Sequence, residues 1–152
     1  MFPFPYSLTR AGVIMSPLPG DDREAEGVLN PATGHSDDGT LYLLPRMVAS
    51  GNVSRVGLAR VVIEDGVPVG VEREGVVFQP ERSWERGANN SGTEDPRVTF
   101  IPRLGLHVMT YVAFGPLGPR TAVATSTDLR EWTRLGPALF EFDDALDIDL
   151  NL

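Results

Sequence analysis

Cysteine is missing from the sequence, and so is lysine: all 13 basic side chains are arginine. Without thiols there are no disulfides, no thiolate metal sites and no cysteine nucleophile. Without an ε-amine there is no Schiff-base chemistry, and any anion must be held by guanidinium groups or backbone N–H. Positive charge is scarce as well. The arginines face 21 carboxylates, giving a formal net charge of −8, which repels nucleic-acid phosphate and anionic lipid. Neither nucleic acid nor a membrane is expected as a partner. No apolar run approaches the roughly 18 residues of a membrane span, and the stretch from Met1 to Leu8 lacks the basic and apolar regions of a signal peptide. The expected location is the cytoplasm.

Turn formers are plentiful, with 16 Gly and 13 Pro spread along the chain, which leaves little room for long helices. The sequence also repeats itself. A shift of 65 positions lays Gly27 on Gly92, Pro31 on Pro96, Leu41 on Leu106, Arg55 on Arg120 and Ala59 on Ala124 without a gap. Each copy holds short runs rich in β-branched and aromatic residues, such as Leu41 to Leu44, Arg55 to Ile63 and Leu106 to Phe114, bounded by Gly, Pro or Asp. Asp38-Gly39 and Asp65-Gly66 mark tight turns. The pattern predicts an all-β fold with three or four strands per copy, the content of one propeller blade. The division is an N-terminal segment 1–26, a first repeat 27–91 and a second repeat 92–152. The stretch from Ser126 to Trp132 is the one predicted helix, capped by Ser126 or Thr127.

A single repeat cannot bury both faces, and propellers close with about four to eight blades. Two blades leave open edges, so further blades or an assembly, such as a homo-oligomer, are expected to complete the fold.

The superposed copies place Gly27-Val-Leu-Asn-Pro31 on Gly92-Thr-Glu-Asp-Pro96. Asn30 and Asp95 thus occupy one structural position in two adjacent units. The following Pro predicts extended geometry for both, at the start of an innermost strand facing the central axis. There, burial would raise the pKa of Asp95 and suit it to general acid catalysis, while Arg97 on the same strand face would oppose this. The same residues also read as a solvated strand start with a local ion pair. His35 and His107 lack further ligands at metal spacing and read as structural. The run of Asp143, Asp144, Asp147 and Asp149 lacks the glycine and glutamate of a calcium loop and reads as a solvated connection. Trp84 could stack on a sugar ring, with core packing the commoner use of such a residue.

Gly92-Thr-Glu-Asp-Pro-Arg97 resembles the Gly-Cys-Glu-Asp-Pro-Arg motif of glycoside hydrolase family 130, the β-mannoside phosphorylases and related hydrolases. The similarity continues through Glu26 to Ala32, Ser54 to Ala59, and Pro119 to Ser126 with Asp128-Leu129 and Trp132. Thr93 stands where the family has Cys. The resemblance implies a five-bladed β-propeller about twice this length, to which this chain contributes about two blades. It also implies phosphorolysis of β-mannosides to α-mannose 1-phosphate with inversion, phosphate being a co-substrate and no cofactor or metal being required. Asp95 matches the catalytic acid, Asn30 and Arg46 match residues that bind the mannosyl unit, and Arg120 matches an arginine on the phosphate side. Phosphate is already an anion, so arginines replace the base that a hydrolase needs. The alternatives are a β-mannoside hydrolase of the same family and an inactive fragment serving as a sugar-binding or interaction piece. An invertase-like propeller is disfavoured, because its Asn-Asp-Pro-Asn and Glu-Cys motifs are missing.

Overall fold

The computed structural model describes residues 9–139. Eight strands follow one another: β1 (Gly27–His35), β2 (Leu41–Ala49), β3 (Val53–Glu64), β4 (Val67–Phe78), β5 (Ser91–Ile101), β6 (Leu106–Gly115), β7 (Gly118–Ser126) and β8 (Thr133–Pro137). The first four form an antiparallel meander, and so do the last four. Each copy of the sequence repeat therefore builds four strands. The β3–β4 connection is the two-residue turn Asp65-Gly66, with φ of 50° and 78°, as a tight hairpin between twisted strands requires.

A short parallel pairing of Val53 with Ser91 and Ser54 with Gly92 joins the two meanders into one open eight-stranded sheet. Gly92 makes this junction possible. Its φ is +132°, and a Cβ there would lie 2.3 Å from the carbonyl oxygen of Ser54.

The meanders then fold face to face. Tyr42, Leu44, Val56 and Leu58 of the first pack with Met109, Tyr111, Ala113, Ala122 and Ala124 of the second. The three alanines let the sheets approach closely, and Phe78 meets Tyr111 edge to face at 4.9 Å. Buried Glu85 pins the connection between the meanders. It accepts hydrogen bonds from Tyr111 Oη (2.6 Å), Arg134 Nε (2.9 Å) and the backbone N–H of Glu81 and Arg82 (2.9 and 3.0 Å).

The helix expected from Ser126 to Trp132 does not form. Ser126 Oγ instead accepts the N–H groups of Asp128 and Leu129, and Asp128 Oδ1 accepts those of Arg130 and Glu131. Leu129 turns left-handed at φ 66°. Ser and Asp side chains compete here with helical backbone bonding, and the turn buries Leu129 against Gly34. The acidic run from Asp143 to Asp149 lies outside the described residues.

Candidate active site

β1 and β5 lie next to each other, and both carry a bulge at the same repeat position. The register slips between Leu29 and Ala32 against β2, and between Glu94 and Arg97 against β6. The residues in the two bulges are Asn30 and Asp95, at φ 44° and 46°. This corrects the extended geometry expected before proline. One extra residue must be accommodated opposite β2 and opposite β6, and a left-handed kink does so. Asn and Asp tolerate that region better than most residues, at about 1–3 kcal/mol of strain each.

The kinks bring the two side chains together, with Asn30 Nδ2 donating to Asp95 Oδ1 at 2.9 Å. Arg46, from the middle of β2, supplies the second donor to the same oxygen, Nη1 at 3.1 Å. Asp95 Oδ2 has no hydrogen-bond partner among the described residues. The other nitrogens of Arg46 are also engaged: Nη2 with Glu94 Oε1 (2.9 Å) and Asn52 Oδ1 (3.0 Å), and Nε with Ser54 Oγ (2.9 Å). Ser54 Oγ donates in turn to Glu94 Oε1 at 3.1 Å.

The arrangement thus joins three of the sequence-derived candidates, Asn30, Arg46 and Asp95. It adds Glu94, Ser54 and Asn52, which sequence reasoning did not single out. Arg46 and Glu94 are nearly buried, whereas the Asp95 side chain is 32% exposed. The deeply buried carboxylate is therefore Glu94. Burial pushes its pKa above the usual range and neighbouring Asp95 adds to this, against the opposing pull of Arg46 and Ser54. Arg97 does not reach Asp95. Its Nη1 donates to the carbonyl of Pro96 at 2.8 Å, because the bulge breaks the alternation that would have placed the two on one face.

Arg120 stands apart, exposed near the start of β7 with Nη1 on the carbonyl of Pro119 at 2.7 Å. Trp84 packs half-buried against the core. His107 is buried beside Phe100, where desolvation holds its pKa below the ordinary imidazole value. Among the described residues, no three His, Asp or Glu side chains converge as a metal ion would require. No helix among them is long and apolar enough to cross a membrane.

A carboxylate with one oxygen fixed by two donors and the other open, beside an arginine, can pass a proton to a bound ligand or accept one. The sequence pattern of glycoside hydrolase family 130, described as beta-1,4-mannooligosaccharide phosphorylase, matches residues 20–151. The chain belongs to glycoside hydrolase family 130. Solved structures agree with this. A putative glycoside hydrolase from Parabacteroides distasonis aligns over 87% of this chain and 41% of its own length, at 29% identity and a TM-score of 0.67. A structure from the family 130 glycoside hydrolases that target β-1,2-mannosidic linkages in Candida mannan aligns over 85% and 40%, at 31% identity and a TM-score of 0.68. A putative glycoside hydrolase from Bacteroides ovatus aligns over 74% and 31%, at 36% identity and a TM-score of 0.60. The chain therefore spans about two-fifths of the length of the first two. No curated protein matches it.

Proposed function

We propose that the site around Asp95 takes part in phosphorolysis of a β-mannoside, with Asp95 as proton donor. The carrying observation is the Asn30–Asp95–Arg46 constellation, with Asp95 Oδ1 held by two donors and Oδ2 open to a ligand. In this reading Asn30 and Arg46 also orient the mannosyl unit. A phosphate oxygen forms the new bond to the anomeric carbon from the opposite face, and the bond to the leaving sugar breaks. The proton from Asp95 reaches the leaving oxygen through a sugar hydroxyl. Inversion then gives α-mannose 1-phosphate. Arg120 is assigned to the phosphate side on the family resemblance alone, since it stands apart from the Asp95 site in this structure. No cofactor is invoked.

The two meanders are read as two blades of a five-bladed propeller. Support comes from their four-strand content, the adjacency of their first strands and the two-fifths coverage of the matching structures. It comes also from the outer face of the second meander, where Val108, Val112 and Val123 are only partly buried and Leu135 is 66% exposed. A following blade would cover them.

Hydrolysis is the second reading. It is favoured by one observation, the 31% identity to a structure of the family 130 hydrolases. The discriminating experiment supplies the product of the whole reading frame with mannose 1-phosphate and a panel of acceptor sugars. Phosphate release supports phosphorolysis and names the acceptor. No release, with β-mannoside cleavage in phosphate-free buffer, supports hydrolysis.

A further inference from the structure

Glu94 and Asp95 are consecutive in β5, and in a regular strand their side chains would point to opposite faces. The left-handed kink at Asp95 overrides this, so that one guanidinium serves both: Arg46 Nη2 on Glu94 and Nη1 on Asp95. Ser54 closes the arrangement by accepting from Arg46 Nε and donating to Glu94 Oε1. A nearly buried carboxylate costs desolvation energy that an apolar residue would avoid.

The repeat provides an internal comparison. The first copy forms the same bulge with Leu29 and Asn30 at the positions of Glu94 and Asp95. Leu29 is an exposed apolar residue there, so the bulge itself needs no carboxylate. Only the second copy carries an acid at both positions.

We infer that Glu94 is a positioning residue: it holds Arg46 so that Nη1 meets Asp95 Oδ1, which leaves Oδ2 as the oxygen that carries the transferable proton. The inference rests on the reading of Asp95 as proton donor. The charged groups facing Glu94 are Arg46 from β2 and Asp95 from β5. Its remaining contact, Ser54 from β3, is neutral, as is Asn52 on Arg46. With Glu94 ionised, the single charge of Arg46 is divided between two carboxylates. With Glu94 neutralised, that charge acts on Asp95 alone and favours its ionised form.

The test measures pH–rate profiles of Glu94→Gln, Glu94→Leu, Ser54→Ala and Asp95→Asn in the product of the whole reading frame. For Glu94→Gln, the fall in activity on the alkaline side is expected to begin about one pH unit lower. Its kcat is expected to drop about tenfold with KM changed much less. Glu94→Leu, which installs the residue of the first copy, is expected to unfold at nearly the wild-type temperature and lose more activity. Ser54→Ala, which keeps both charges, is expected to lower kcat in the same direction by a smaller factor and so tests the arrangement even if a Glu94 variant folds poorly. An inactive Asp95→Asn with an unmoved Glu94→Gln profile overturns the role of Glu94 and leaves Asp95 standing. A Glu94→Leu protein that unfolds far below wild type, with Ser54→Ala fully active, makes Glu94 structural and also overturns it. An active Asp95→Asn overturns the underlying reading instead.

Discussion

Asn30 donates a 2.9 Å hydrogen bond to Asp95, the residue that occupies its own position one repeat later. Both sit in a bulge, both have positive φ, and both precede a proline. The two repeat units thus share this backbone conformation while the side chain at the position differs, a neutral donor in one and a carboxylate in the other. The two copies meet at that position.

This relationship separates strain from function at Asn30. Replacing it by glycine removes the cost of the left-handed conformation together with the donor to Asp95. Asn30→Gly is therefore expected to be as stable as wild type or slightly more so, yet to lose about tenfold or more in kcat/KM. Asn30→Ala should lose similar activity and be less stable by about 1 kcal/mol. Thermal unfolding and steady-state kinetics on the same preparations check both expectations.

The junction of the two meanders tolerates no side chain at Gly92. A Cβ there meets the Ser54 backbone at 2.3 Å while the residue is held at φ +132°. Gly92→Ala is expected to cost more than about 3 kcal/mol in urea unfolding, or to prevent folding. Gly70→Ala, at a position with open space around it, is expected to change stability by less than about 0.5 kcal/mol.

Acid should loosen the connecting segment from the second meander through Glu85, whose partners are Tyr111, Arg134 and the backbone of Glu81 and Arg82. Burial alone would raise its pKa, but the hydrogen bonds from Tyr111, the Glu81 and Arg82 backbone and Arg134 outweigh burial and hold it below the ordinary value. A depressed folded-state pKa means that the unfolded chain binds the proton first. Glu85 therefore contributes stability that is fully present above the unfolded glutamate pKa of about 4.3 and is lost as pH falls through the lower folded value. The unfolding temperature is expected to decline below about pH 4.3, and Glu85→Gln should reduce that decline while lowering stability at neutral pH. Tyr111→Phe, which removes one of the bonds, should weaken the pH dependence partially.

Much of this architecture is legible in the residues. The 65-residue spacing of Gly, Pro, Leu, Arg and Ala predicts two equivalent units, and their β-branched runs fall within β2, β3 and β6. The equivalence of Asn30 and Asp95 was likewise readable, because it needs only the superposition. Their hydrogen bond was not. It depends on a left-handed kink that the following proline argues against and that only the bulge against a neighbouring strand explains. Glu94 escaped notice because its partner, Arg46, is 48 residues away and belongs to the other unit, and Ser54 and Asn52 because they join the site through Arg46. At Ser126 to Trp132 the capping signal was real, but successive Ser and Asp caps used it to close a turn around Leu129.

The most direct test of the account is phosphate-dependent cleavage of a β-mannoside by the product of the whole reading frame, compared between wild type and Asp95→Asn. Asparagine keeps the size of the side chain and an oxygen for Asn30 and Arg46, but it has no proton to transfer at neutral pH. The account predicts at least a thousandfold loss of kcat, on the order of 4 kcal/mol of transition-state stabilisation, with the unfolding temperature nearly unchanged. An Asp95→Asn protein that cleaves the mannoside at the wild-type rate would contradict it.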